Sequence, residues 1–432
     1  MSFWKNLKFI NKIYFNNKYH FCYHEILNKS HLILIIAACI FSSGRGKCEE
    51  IPEYFSSPRS MGMGDAFTAI AQDEGAVWTN PAGIGRVRKA RSRHSLNLVK
   101  IPNIIAGTNR DGYHFTRAFR STGEKSVSEL ITGSEGLSDK PFWSRAGAFP
   151  ITMFDVEREI PMAVGLLTNT TAKIIIPKET PEVAKVEAIA DVGGVISLGF
   201  TSVNNRFNVG FQTRPLARYA FEERIPSQDL TNRGMMTSRF KEGANKSQAI
   251  AIDAGILMTI GDFWFPTIGA AVLNVPTGCK SNYLNPFTEK FERVCGTVYS
   301  GSFANEDALS TVDPTDLRIG LSITPRLSQK VALRLALDAH HLPLGDSSRS
   351  YGLQGIEVNK LMHAGAELVL GNPLLVSPFS IRAGYSQGFP TGGFGVNWGL
   401  FVFEGAIYGR DVSSSSSPIA DIRYLTSMSF DF

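Results

Sequence analysis

Three short stretches of this sequence combine residue types that could carry out chemistry. The run GYSQG at 384–388 has the spacing of a nucleophile elbow, in which a serine attacks an acyl group. Asp338 precedes His340 and His341, a grouping that could act in acid–base chemistry or bind a metal ion. The run GMG at 62–64 could bring the backbone close to a phosphate. Each possibility depends on the elements that hold these residues.

The residues around these stretches argue against all three chemistries. The run FPTGG at 389–393 predicts a turn after the serine, where a nucleophile elbow requires a helix, so a hairpin is expected. His340 and His341 end a strand pattern, which favours polar groups at the rim of a barrel. No strong strand precedes 62–64, and the third glycine of a phosphate loop is missing. The sequence therefore predicts no catalytic residue and no cofactor.

The elements that would position these residues are strands, and the clearest strand is the last. Residues 421–432 alternate with the two-residue period of a strand and stop on a phenylalanine. Their apolar face comprises Ile422, Tyr424, Thr426, Met428, Phe430 and Phe432. An apolar-out, polar-in strand at the end of a chain is typical of transmembrane barrel closure. Tyr424, Phe430 and Phe432 are therefore the predicted closure signal.

The same alternation recurs upstream, at 250–260, 317–324 and 331–338. Charged residues on the inner faces of these and later strands are predicted to face the lumen. They are Asp253, Arg318, Arg334, Asp338, Glu367 and Arg382. Alternation alone does not distinguish a soluble sandwich from a membrane barrel, because both have one apolar and one polar face.

Composition helps to decide between these two folds. Hydrophobic residues make up 43% of the 432 residues, charged residues only 19%, and the mean hydropathy is −0.03. After the N-terminal region there is no apolar run of about 20 residues, which a membrane helix would need. Strands must therefore supply the membrane signal. The net charge of +5 is due partly to lysines near the N-terminus, so no nucleic-acid partner is inferred.

The N-terminal region, residues 1–48, is predicted to be a secretory leader. A long basic segment precedes the apolar residues 32–41, which are too few to span a membrane. Cleavage after Gly44, Gly46 or Cys48 fits the small residues that follow. A lipoprotein signal at Cys39 and an internal start near Ile26 remain open alternatives.

Cys279 and Cys295 are the cysteines that clearly belong to the mature chain. They lie in 275–312, which is rich in Asn, Gly, Ser and Pro and is predicted to be a large loop. A loop disulfide is expected in an exported protein. Two thiols without a nearby histidine do not complete a tetrahedral site, so no metal site is predicted.

A different pattern occupies 57–84, where small residues predominate over strand alternation. Glycines there permit unusual backbone angles, and the Asn80–Pro81 step favours a turn. This segment resembles the N-terminal hatch of the FadL-like outer-membrane barrels, the long-chain fatty-acid transporter group, whose relatives include PorV-like proteins. The candidate hatch or gating residues are Gly62, Gly64, Asp65, Asn80, Pro81 and Gly83.

The resemblance implies an all-β fold: a transmembrane antiparallel β-barrel of about fourteen strands with the hatch inside its lumen. The expected organisation is a leader at 1–48, a hatch at 49–90 and a barrel at 91–432, in the outer membrane of a diderm bacterium. The expected partners are outer-membrane lipid, a hydrophobic ligand and, through the C-terminal strand, the barrel-assembly machinery.

Two functions are compatible with this fold. The first is passive uptake of hydrophobic or amphipathic small molecules, such as long-chain fatty acids, when the hatch shifts. The alternative is a non-transporting, PorV-like barrel that docks a secretion or envelope complex through polar loops such as 275–312 and 410–418. Neither function is enzymatic.

Overall fold

The computed structural model describes residues 50–51, 55–87, 98–112, 141–155, 159–177, 179–202, 204, 206–285, 290–301, 311–343, 350–351, 355–372, 376–412 and 420–432. These residues all belong to one compact unit, Arg45–Phe432. The predicted leader at 1–48 lies outside the described residues. In the part of the chain that is described, no helix is long and apolar enough to cross a membrane.

Strands make up most of the described chain, and the helices are short. The strands are β1 Leu98–Asn109, β2 Phe142–Ala148, β3 Ile151–Phe154, β4 Met162–Ile175, β5 Val183–Thr201, β6 Phe207–Pro226, β7 Asn245–Thr259, β8 Thr267–Leu273, β9 Gly278–Asn285, β10 Lys290–Val298, β11 Ser300–Gly301, β12 Val312–Pro314, β13 Asp316–Ile323, β14 Arg326–Ser328, β15 Val331–Ala339, β16 Ser350–Tyr351, β17 Met362–Asn372, β18 Val376–Ser386, β19 Phe389–Asn397, β20 Phe401–Asp411 and β21 Ala420–Asp431. The α-helices are α1 Pro58–Gly62, α2 Ala76–Thr79, α3 Arg233–Gly243 and α4 Val358–Leu361, and 3-10 helices occupy Pro81–Arg86 and Ser227–Thr231.

The strands form a closed antiparallel barrel of 14 strands, which confirms the predicted fold. The ring runs through β1, β2 with β3, β4 to β8, β13, β15 and β17 to β21. β2 and β3 act as one strand interrupted at Phe149, because both pair with β1 and with β4. β21 pairs with β1, from Asn109 opposite Arg423 to Lys100 opposite Asp431. Closure leaves the barrel without an exposed strand edge.

The outer face of the barrel is apolar over a broad band. Ile250 on β7 is 59% exposed and Leu166 on β4 is 65% exposed, whereas the alternate residues Ala251 and Asp253 are buried. On β21, Ile422 and Tyr424 point outward while Arg423 is fully buried. A closed barrel with an apolar outside and charged groups inside requires lipid around it. The predicted location in the outer membrane of a diderm bacterium is confirmed.

The two ends of the barrel differ in the length of their connections. Short turns at 260–266 and 398–400 lie at one end, together with Leu98 and Phe432. Longer connections, including 227–244 and 274–315, lie at the other end. Outer-membrane barrels have short periplasmic turns and long extracellular loops. The short-turn end is therefore periplasmic.

The stretch 275–312, predicted to be a large irregular loop between two strands, does connect β8 to β13, but its described residues form strands of their own. β9 and β10 pair as a hairpin, and β12 and β16 add to β10 to form a small separate sheet. Cys279 lies opposite Cys295 in this hairpin, and a disulfide joins them. The polar composition concealed the strands because their few apolar residues, such as Val294 and Val312, bury against Ile51 outside the loop.

Deletion of residues 430–432 is expected to impair barrel assembly strongly. Phe430 pairs with Phe401, and the Phe432 amide donates to the Val99 carbonyl at 2.8 Å, so the deletion removes one end of the closing seam. Outer-membrane levels of this variant, measured by quantitative blotting, should fall far below those of a variant lacking residues 1–20. Equal levels of the two variants would contradict the role of the last strand.

Candidate functional site: the hatch and the inner wall

Of the predicted hatch at 49–90, residues 55–87 lie inside the barrel, and this segment is called the hatch from here on. Its first helix, α1, begins at Pro58, and the Ser57 hydroxyl accepts a hydrogen bond from the Ser60 amide at 3.1 Å. Gly64 and Asp65 then adopt positive φ values of 66° and 61°, which turn the chain. This compact path leaves side chains such as Met63 and Phe67 fully buried.

The inner wall receives the hatch on a row of glycines, here called the glycine belt. Its members are Gly210, Gly255, Gly269, Gly320, Gly365, Gly384 and Gly393. A Cβ atom added to Gly210 would lie 2.2 Å from the Pro81 carbonyl carbon, and one added to Gly365 would lie 2.2 Å from the Met63 oxygen. The hatch backbone therefore rests directly on the wall. Sequence reasoning missed this belt, although glycine within a strand pattern signals close backbone approach.

Asn80 fixes the middle of the hatch on this belt. Its side-chain amide donates to the Thr68 carbonyl at 2.9 Å and to the Ile256 carbonyl of β7 at 3.1 Å. Its Oδ1 accepts from the Ala82 amide at 3.1 Å and so caps the 3-10 helix that Pro81 begins. Asn80 is fully buried, and a Cβ at Gly255 would lie 2.0 Å from its Oδ1.

The other hatch candidates also lie at close contacts. Gly62 faces Gly393 of β19, and the positive φ of Gly64 places it against the Tyr385 backbone of β18. A Cβ at Gly83 would lie 2.6 Å from the Ala71 oxygen, so this glycine packs within the hatch itself. A gating role for these residues stays a prediction.

A buried charge cluster joins the hatch to the wall around Glu367 of β17. Arg59 of the hatch binds both carboxylate oxygens of Glu367, at 2.9 and 2.7 Å. Arg334 and Arg382 bind the same carboxylate at 2.6 and 2.9 Å. Burial alone would lower the pKa of Arg59, but Glu367 and Asp73 raise it well above its usual range, so Arg59 is charged. The hatch thus supplies one of three arginines that neutralise one buried carboxylate.

The remaining predicted lumen residues also lie on the inner wall. Asp253 accepts hydrogen bonds from Arg214 at 2.8 Å and from Gln212 at 2.6 Å. Arg318 donates to Asp316 at 2.6 Å. Asp338 accepts a bond from the Thr68 amide of the hatch at 2.7 Å. Asp338 and Glu367 therefore anchor the hatch. Their position on the inner face of the strands did not by itself predict this role.

Ahead of the hatch, Glu50 lies towards the extracellular end of the lumen. Its carboxylate pairs with Lys173 of β4 at 2.9 Å and with Arg423 of β21. Burial alone would raise the pKa of this carboxyl, but the two cations lower it below its usual range. A charged Glu50 therefore holds the segment before the hatch against two wall strands.

Two cavities lie on opposite sides of the hatch. The periplasmic vestibule has a volume of about 920 Å³, and its lining includes Arg59, Glu74, Arg206, Arg326 and Glu404. The extracellular-side cavity has a volume of only about 30 Å³, and its lining includes Phe55, Met61 and Trp78. The smaller cavity has room for water but not for a drug-sized ligand, which needs about 300 Å³ or more.

The histidines and the serine that were first considered for catalysis have surroundings that the structure now defines. His340 is not a rim group, because it is only 1% exposed and stacks on His363 with ring centroids 4.1 Å apart. Gln387 and Gly388, with φ values of 53° and 93°, form the tight β18–β19 hairpin that was predicted instead of a nucleophile elbow. His363 Nδ1 donates to the Gly64 carbonyl at 2.8 Å, so it is not free to accept the Ser386 proton.

Comparisons with known proteins agree with this geometry at the level of the fold. No family model matches the sequence, and no curated protein matches it. A TodX monoaromatic hydrocarbon channel mutant, deltaS2S3, shares 13% identity and a TM-score of 0.52, over 88% of this chain and 99% of that chain. The deltaS2 mutant of the same channel shares 12% identity and a TM-score of 0.50, over 88% and 99%.

A FadL homologue from Pseudomonas aeruginosa matches over 89% of this chain and 98% of its own, at 9% identity. Its TM-score of 0.35 is too low to support an argument. The two TodX structures are named as channels rather than enzymes. The chain therefore has the fold of these outer-membrane channels, and the predicted FadL-like fold is confirmed.

Proposed function

We propose that this barrel mediates passive uptake of hydrophobic or amphipathic small molecules across the outer membrane. One observation carries the proposal: the lumen is blocked by an N-terminal segment that lies between a small cavity and a 920 Å³ vestibule. In the described residues, hydrogen bonds, ion pairs and close packing hold this segment to the wall. A displaced hatch would join the two cavities.

The contacts of the hatch suit a segment that moves as a unit. Where its backbone faces the glycine belt, the wall has no side chain that interlocks with it, whereas Phe55 and Trp78 pack on Phe149 of the wall. The specific links are polar hydrogen bonds and ion pairs, among them Asn80 to β7, Thr68 to Asp338, and Arg59 to Glu367. Such links can re-form after the hatch returns.

The surfaces on the two sides of the hatch favour an amphipathic ligand. Phe55 and Trp78 pack with ring centroids 4.4 Å apart and offer an apolar surface at the extracellular-side cavity. The vestibule offers the cationic group of Arg326 to a carboxylate, whereas Arg206 is already paired with Asp262 at 2.9 Å. A long-chain fatty acid has both an apolar chain and a carboxylate, and it is the substrate that we propose.

Uptake of a labelled long-chain fatty acid tests this proposal in cells that carry the intact protein or an Asn80→Ala, Pro81→Ala variant. The variant loses buried hydrogen bonds worth about 1–3 kcal/mol, so the hatch leaves its position and saturable uptake should be lost. A matched control is Asn232→Ala, Pro226→Ala, since both positions lie at the junction of β6 and α3 rather than in the hatch. Absence of uptake by the intact, well-folded barrel would refute the fatty-acid substrate.

One observation favours docking of a secretion or envelope complex as a second candidate. The disulfide-linked sheet of β9, β10, β12 and β16 extends beyond what barrel closure needs. A braced sheet at the extracellular end offers a fixed surface to a partner protein. Docking predicts a stoichiometric protein partner after gentle purification, together with no fatty-acid uptake.

A further inference from the structure

Three side chains that commonly bind metals converge where the hatch meets β15 and β17. Asp65 comes from the hatch, His340 follows β15 and His363 lies on β17. One ligand atom from each lies within 4.8 Å of the others. Both histidines are buried. These residues are far apart in the sequence, which is why no metal site was predicted from it.

The hydrogen bond of His363 determines which ring nitrogen has the lone pair. Its Nδ1 lies 2.8 Å from the Gly64 carbonyl oxygen, which can only accept, so Nδ1 carries the proton. Nε2 therefore presents a lone pair. Among the described residues this buried atom has no hydrogen-bond partner. A histidine that donates one N–H to a backbone carbonyl and leaves its other nitrogen bare has the arrangement of a metal ligand.

His340 is oriented in the same way by a carboxylate. Its Nε2 lies 3.3 Å from Asp338 Oδ2, so Nε2 donates and Nδ1 presents the lone pair. Nδ1 is buried and has no hydrogen-bond partner in the described part of the chain. It lies 3.6 Å from Asp65 Oδ2, beyond hydrogen-bond range. Two imidazole lone pairs and a carboxylate oxygen thus converge within 4.8 Å of one another, the distance at which one ion can contact all three.

We propose that Asp65, His340 and His363 bind a divalent transition-metal ion of the Zn²⁺ type. Two imidazole nitrogens and one carboxylate oxygen suit Zn²⁺, with water as a fourth ligand. The small cavity that Asp65 and His363 line supplies space for this water. Because the two rings are stacked, one imidazole must tilt about its Cβ–Cγ bond to direct its lone pair at the ion. His340 is the ring that we expect to tilt, since its bond to Asp338, at 3.3 Å, is longer than the 2.8 Å bond of His363 to Gly64 and is the one that lengthens.

The position of this site couples the ion to the hatch. Asp65 belongs to the hatch, whereas both histidines belong to the wall. Asp338 also accepts from the Thr68 amide of the hatch, so one carboxylate orients His340 and anchors the hatch. A bound ion would therefore pin the hatch to β15 and β17.

The test is Zn²⁺ binding to the untagged, folded barrel in detergent, measured by elemental analysis after equilibrium dialysis. The intact protein should bind about one ion per chain. His340→Ala and His363→Ala should each weaken binding at least tenfold. His341→Ala is the matched control and should bind as the intact protein does. Its ring lines the same cavity, but its Nδ1 lies 3.4 Å from Asp316 and it is not one of the three clustered ligands.

Co²⁺ titration of the intact protein provides a readout that needs no variant. Binding should produce visible d–d absorption that Zn²⁺ abolishes. Absence of this band, or equal Zn²⁺ affinity in all three histidine variants, would overturn the proposal. If His340→Ala or His363→Ala fails the heat-mobility check for a folded barrel, the Co²⁺ titration of the intact protein decides.

Discussion

Glu367→Gln is expected to release the hatch and to lower the free energy of unfolding by about 3–5 kcal/mol, because it removes the buried carboxylate that binds Arg334 and joins Arg59 to the wall. Arg59 keeps its pairing with Asp73 inside the hatch, and Arg382 keeps its pairing with Glu404. Arg59, Arg334 and Arg382 all bind this carboxylate within 2.9 Å. Arg59 is the member that belongs to the hatch, so repulsion should expel the hatch while the wall strands stay paired. Urea unfolding and limited proteolysis of residues 55–87 measure the two effects.

A matched control for Glu367→Gln lies at the extracellular end of the barrel. Glu223 pairs with Arg239 at 2.9 Å, but both side chains are about a third exposed. A pair of this kind contributes about 0–1 kcal/mol, so Glu223→Gln should change little. Equal effects of the two substitutions would show that the buried cluster does not hold the hatch.

Gly210→Leu is expected to leave the barrel intact and to displace the hatch from the wall. The added Cβ would lie 2.2 Å from the Pro81 carbonyl carbon and 2.3 Å from the Ala82 nitrogen, and both are backbone atoms that a side-chain rotation cannot move. Overpacking in a core costs about 1–3 kcal/mol, and here the overlap falls on the hatch backbone next to its Asn80 anchor. Displacement opens the lumen, so ion conductance in planar bilayers should rise.

Gly194→Leu is the control for this second prediction. Gly194 also lies on a barrel strand, β5, but a Cβ there would have its nearest neighbour 3.7 Å away. The control should therefore keep the low conductance of the intact protein. Unchanged conductance of a folded Gly210→Leu barrel would show that the hatch does not depend on the glycine belt.

The wall of the barrel was largely predictable from the sequence, and its interior was not. β7 and β21 were predictable because successive side chains of a strand point to opposite faces, and one face of each strand is apolar while the other is polar. The pairing of Arg59 with Glu367 joins residues 308 positions apart, and no local pattern contains that information. The break at Phe149 between β2 and β3 was not predicted either. That the two strands together form one wall strand is visible only from their pairing with β1, which lies elsewhere in the sequence.

The sequence predicted many residues of the candidate site, but it did not predict which of them contact one another. Small residues and the Asn80–Pro81 turn located the hatch, because a segment threaded through a lumen must be compact. The partners of the hatch are wall glycines and inner-face carboxylates, whose roles depend on the barrel register. His340 was assigned to the rim because its strand ends there, and only the packed hatch shows that it is buried.

Hydrogen exchange of the hatch amides tests the account most directly. The folded barrel, reconstituted in a lipid bilayer, is measured with and without a long-chain fatty acid under conditions of uptake. Amides of residues 55–87, including that of Thr68, should exchange faster with the fatty acid present, while amides of the barrel strands keep their protection. Uptake of the fatty acid with unchanged exchange throughout the hatch would contradict a gating role for this segment.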